Sequence, residues 1–153
     1  MPLIINQPES AIARGIKTVG VGKKGSQNLD SALALEILNE LKSNSVSDAA
    51  KGAFLGGLLM KGISAEEKIL AQAFPDGALD HPARLINLLT PDASAELKTI
   101  CTKLLEKKEL SKDEAYKLGR FLFSDAPGDV LRGMVASVLR HLAVARRRAW
   151  HIL

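Results

Sequence analysis

The sequence predicts an all-α fold, a helical bundle built from two related helix–turn–helix units. Three observations carry this expectation. Apolar residues recur at three-and-four spacing through most of the 153 residues, the period of a one-sided helix. Ser and Asp precede those runs where helix caps belong, and Gly or Pro breaks follow them. Aromatic residues make up only 4% of a chain that is 46% apolar and rich in Ala and Leu, a poor supply for a β-sheet core.

Residues 1–28 read as a basic, Gly-rich lead-in, in which only Leu3–Ile5 and Ile16–Val19 could form short strands. Asp30 or Ser31 caps a helix over 31–42, with Leu33, Ile37, Leu38 and Leu41 on one face. After the Asn44-Ser45 break, Ser47 caps a helix over 48–60. Its Ala49, Ala50, Gly52, Ala53, Gly56 and Gly57 let a neighbouring helix come close, at a cost in helix propensity that packing must offset. Gly62 stops this helix, and Ser64-Ala65-Glu66-Glu67 has the spacing of a capping box for a helix to about Phe74. These segments make a first unit, 29–75.

Pro75-Asp76-Gly77 is a turn, and 76–108 reads as connecting helices over 82–89 and 92–107. The second unit, 109–153, opens with the capping box Ser111–Glu114 and a helix over 112–123 that turns Ala115, Leu118, Phe121 and Leu122 inward. A long helix follows from Pro127, with Val130, Leu131, Met134, Val135, Val138, Leu139 and Leu142 in period and a basic tail at its end.

Charge and composition exclude several classes. With 25% charged residues against 46% apolar ones the chain is no disordered tail, and a single cysteine forms no disulfide framework. No apolar run reaches the ~18 residues a membrane span needs, and no secretory leader opens the sequence, so the expected location is the cytoplasm. The first 139 residues hold 17 basic and 17 acidic side chains. The whole excess of +4 lies in the tail, in Arg140, Arg146, Arg147 and Arg148.

Few residues suggest chemistry. Gly20-Val21-Gly22-Lys23-Lys24-Gly25 formally fits G-x-G-x-x-G, but no βαβ unit follows, which leaves a backbone-exposing lead-in or a phosphate contact by Lys23 and Lys24. His81, His141, His151 and Cys101 lack metal-ligand spacing, and Cys101 lies on the apolar face of its helix as a structural thiol. Glu66-Glu67 and Asp113-Glu114 fall in first helical turns, where they complement the helix dipole. Arg146, Arg147 and Arg148 with Trp150 form the candidate partner surface. They are either solvated or a nucleic-acid backbone contact, with Trp150 stacking on a base or docking on a helix.

The two units align with a one-residue gap: Leu29 with Leu110, Ile37 with Leu118, Leu41 with Leu122, Phe54 with Met134, Leu58 with Val138. Neither helix pair can bury its apolar face alone, so the pairs are expected to pack on each other or on a symmetry mate. Packing is placed at Gly52, Phe54, Gly56 and Gly57, and at Gly133, Met134 and Ala136.

The stretch Leu59-Met60-Lys61-Gly62-Ile63-Ser64-Ala65-Glu66-Glu67, with the lead-in Gly22 to Leu29, resembles the N-terminal helical domain of the anthranilate phosphoribosyltransferase-like and pyrimidine nucleoside phosphorylase (glycosyltransferase family 3) superfamily. The likeness spans about 20–74, with a second, partial copy over 109–140. It implies a module that dimerises and closes over the substrate of a transferase. Mg2+ and phosphoribosyl diphosphate would belong to a following α/β domain, whose Gly-Thr-Gly-Gly-Asp loop has no counterpart in these residues. The chain alone is therefore expected to be inactive, with a second copy or a catalytic domain as its partner. The likeness stops after Leu139-Arg140, so the tail reads as a truncated or frame-altered end or as a true basic helix end. The alternative function is a nucleic-acid-binding module that uses the basic ends.

Overall fold

The computed structural model describes residues 9–20, 26–125 and 128–152, with side chains through residue 144. Seven α-helices stand in order among them: α1 (Ala11–Val19), α2 (Ser31–Leu41), α3 (Asp48–Lys61), α4 (Pro82–Leu89), α5 (Ala95–Leu105), α6 (Lys112–Leu122) and α7 (Asp129–Ile152). Two 3-10 segments, Glu66–Ala73 and Pro75–Asp80, join α3 to α4, and no strand occurs among the described residues. The all-α expectation holds.

Local chemistry accounts for most boundaries. Asp30 Oδ1 accepts from the Leu33 N–H at 2.8 Å, Ser47 Oγ from Ala50 at 3.2 Å, and Ser94 Oγ from Leu97 at 3.1 Å. Each of these satisfies a donor that a helix start leaves open. At α6 the capping box closes both ways: Glu114 N–H donates to Ser111 Oγ, and Ser111 N–H to Glu114 Oε1. Gly62, at φ 95°, ends α3 in a conformation that suits glycine.

Four expectations are corrected. Ile16–Val19 is no strand but part of α1, because the Glu40 carboxylate of α2 accepts from the N–H groups of Ala11 at 2.9 Å and Ile12 at 2.7 Å. Ser10 also caps α1 locally, its Oγ accepting from the Ala13 N–H at 3.0 Å, a mark the sequence reading passed over; only the acceptors from Glu40 leave no local trace. Residues 66–73 wind as 3-10 rather than α, and Ser64 Oγ accepts no hydrogen bond from the helix start. The helix expected over 92–107 begins only at Ala95, since Ser94 takes the capping role. Ala115 faces solvent, while Leu118 and Phe121 turn inward as expected. Pro127 and the Leu3–Ile5 strand expectation lie outside the described residues.

The core is continuous, running from Ile12 on α1 through Ile37, Phe54, Leu70, Leu85 and Ile100 to Leu131 and Val138 on α7. Its centre is the pairing of α3 with α7. Helix α1 packs on both α2 and α3, and α5 packs on both α6 and α7.

Candidate functional site

Two features gather the residues that the sequence singled out: the seam between α3 and α7, and a buried knot at the end of α3.

At the seam the helices touch through backbone. A Cβ at Gly52 would fall on the Val130 carbonyl oxygen, and one at Gly56 would lie 2.5 Å from the Met134 carbonyl oxygen. From the other side, a Cβ at Gly133 would collide with the Ala49 carbonyl oxygen and lie 3.0 Å from the Ala53 nitrogen. Only glycine fits at such an approach, which brings Cα–H groups near carbonyl oxygens as in small-residue helix pairs. Gly57 faces Val19 of α1 together with Ser137 and His141 of α7. Residue numbers climb together across the seam, so α3 and α7 run parallel. Ala53 and Gly133 hold the same place in the two copies and face one another. That is the geometry of a self-complementary two-fold contact, here made inside one chain.

The other packing residues distribute differently. Phe54 is fully buried and lies under Gly15 of α1, where a Cβ would come within 3.0 Å of its ring. Met134 is buried in the seam beside Gly52 and Gly56. Ala136 is exposed and stands outside it.

The knot centres on Glu67, which is fully buried. Its Oε2 accepts from the Leu29 N–H at 2.8 Å, while its Oε1 accepts from Lys61 Nζ at 2.6 Å and from the Ser64 N–H at 2.8 Å. Lys61 Nζ also donates to Asn28 Oδ1 at 2.7 Å, and its side chain is only 7% exposed. One ion pair thus ties the start of α2, the end of α3 and the first 3-10 segment together. Burial pushes the Glu67 carboxyl up, but the Leu29 N–H, Lys61 and Ser64 together hold it below its ordinary value. The sequence suggested a first-turn carboxylate that complements a helix dipole. It gave no sign of the burial, because all three donors come from outside the 3-10 segment.

The remaining candidates are scattered. Lys23 and Lys24 lie outside the described residues. Arg146, Arg147 and Arg148 lie on the backbone of α7, beyond the last described side chain. His141 Nε2 is buried without a hydrogen-bond partner, and burial, then Lys107 and Arg140, push the imidazole below its ordinary pKa. Cys101 is buried and its thiol is pushed up to about 12 by that burial, which fits a packing residue. Among the described residues no group of three His, Cys, Asp or Glu side chains could hold a metal ion, and no helix is long and apolar enough to cross a membrane. Comparisons with protein-family models, with curated proteins and with solved structures found no match.

Proposed function

We propose that the chain is the helical packing module of an anthranilate phosphoribosyltransferase-like protein, which works by holding helices and a partner in place. The observation that carries this reading is the knot. Lys61 and Glu67 spend their charged groups, and Gly62 and Ser64 their backbone N–H groups, on ending one helix and anchoring the next segment; these are the residues behind the resemblance. A signature made of such residues belongs to a scaffold. The phosphoribosyl diphosphate and Mg2+ chemistry would then belong to an α/β domain, and the chain by itself would transfer nothing.

The glycine faces are spent on the internal seam, so a partner has to use another surface. The outer face of α6 is open: Tyr116 is 64% and Phe123 93% exposed, and a Cβ at Gly119 between them would meet nothing within 4 Å. Large exposed aromatics on one helix face fit a contact with a second copy or a catalytic domain. The test is turnover of anthranilate with phosphoribosyl diphosphate and Mg2+ by the purified chain. No turnover is expected; measurable turnover that survives repurification would overturn the reading.

A further inference from the structure

Helices α4 and α5 enclose a surface groove of about 580 Å3, with Arg84 and Asn87 on one wall and Lys98 and Lys103 on the other; Glu106 and Lys108 close its end. The four cations differ in how they are held. Lys103 pairs with Glu114 of α6 at 2.7 Å and Lys108 with Glu106 at 3.3 Å, so carboxylates offset their charge. Lys98 Nζ instead donates to neutral oxygens, Asn87 Oδ1 at 2.8 Å and the Pro91 carbonyl at 3.1 Å. Arg84 donates to the Asp76 carbonyl at 3.3 Å. Neutral acceptors fix these two side chains without cancelling their charge, and no carboxylate lies within 4 Å of either among the described residues.

Donors remain for a ligand. An ammonium has three N–H donors and a guanidinium five, so Lys98 and Arg84 each keep unspent ones. With its Oδ1 committed to Lys98, Asn87 keeps its NH2 group as well. The turn after α5 shapes the end of the groove. Lys108 N–H donates to the Lys103 carbonyl and Lys107 N–H to the Leu104 carbonyl, which sets Lys107 at φ 62°, where glycine is the usual residue. All this stands in a stretch, residues 28–139, whose acids outnumber its bases. An anion with several acceptor oxygens and more than one charge matches two fixed cations and an amide donor better than a single carboxylate does.

We propose that the α4–α5 groove binds a phosphate group, with Arg84 and Lys98 supplying the charge and the N–H donors. The phosphate is either free or part of a phosphodiester backbone.

The experiment is an amide-resolved NMR titration of the full chain at constant ionic strength, in two arms. One adds inorganic phosphate, the other a short single-stranded oligonucleotide. Saturable shifts at residues 84–87 and 98–108 are expected in at least one arm. Saturation by phosphate alone identifies free phosphate; saturation by the oligonucleotide at lower concentration identifies the backbone. The R84Q/K98Q double variant, changed at one exposed and one half-buried position, should keep its spectrum elsewhere. It should bind roughly tenfold more weakly or worse, and in the oligonucleotide arm the salt slope should shrink by about 0.7 per lost contact. The proposal is overturned if neither probe produces saturable shifts at the groove, if the shifts fall only on residues 140–152, or if the double variant binds as the parent does.

Discussion

Glu67 is fully buried and accepts three hydrogen bonds, and its loss should be felt accordingly. Glu67→Ala leaves the N–H groups of Leu29 and Ser64 without their acceptor and Lys61, still bonded to Asn28 and the Gly62 carbonyl, without its buried counter-charge, and is expected to cost about 4 kcal/mol. Lys61→Met leaves the carboxylate two backbone donors and should cost roughly 2 kcal/mol. Chemical denaturation of the two variants checks the order; equal costs would mean that the ion pair alone carries the knot. The pH dependence has a definite sign. Because the folded carboxyl lies below its ordinary value of 4.5, the unfolded chain takes up the proton first as acid is added. The stability Glu67 contributes is complete above that value and drains away as pH falls through the lower folded one. An acid titration of Glu67→Gln should therefore show a shallower loss than the parent below pH 4.5. The sequence showed the acid and the lysine but not their meeting, because Gly62 turns the chain back between them and Leu29 arrives from another element.

Where the reading used a cap or a first-turn proline together with an apolar stripe, reading and structure agree. Helix α4 spans Pro82–Leu89 as expected, and α2, α3 and α6 fall within a residue of their expected bounds. Agreement failed where a neighbour supplies the missing piece. Helix α1 has its own cap in Ser10, which the reading passed over, but it draws further N-terminal acceptors from Glu40, and Gly15 lets it settle over Ile37 and Phe54, so its place was not local information. The seam was half legible: small residues announced a close contact but not which helix would make it. Two glycines on different elements give the direct test. Gly52→Ala pushes a methyl into the Val130 carbonyl and should cost about 2 kcal/mol or more, despite alanine's better propensity. Gly119→Ala on the open side of α6 meets nothing and should gain about 0.5–1 kcal/mol. Thermal denaturation that moves both variants in the same direction would contradict the seam.

At the scale of the whole molecule, the seam decides what is left for assembly. Two copies of a repeat that face each other through equivalent positions already form, in miniature, the contact two subunits would make. The proposed contact with a second copy or a catalytic domain would then fall to α6. Light scattering on the Tyr116→Glu/Phe123→Glu variant tests this: an assembled parent should dissociate with its melting temperature unchanged, and a variant that stays assembled would place the contact elsewhere. Catalysis, by contrast, was never legible at this scale. Histidines and the lone thiol are dispersed over the fold, and although Arg84 and Lys98 stand on consecutive helices, nothing in the sequence tells which neutral oxygens hold them.

The parallel course of α3 and α7 has a consequence for how the chain reaches its fold. An antiparallel partner could follow α3 through a short turn; a parallel one requires the chain to travel back past the whole length of α3 before α7 begins. The residues between Lys61 and Asp129 make that return journey as two 3-10 segments and three helices. During synthesis α3 is therefore complete while Gly52 and Gly56 still lack the backbone they are shaped to meet. The entropy of closing that long loop must be met before the seam gives anything in return, which makes its formation a late and slow event in folding.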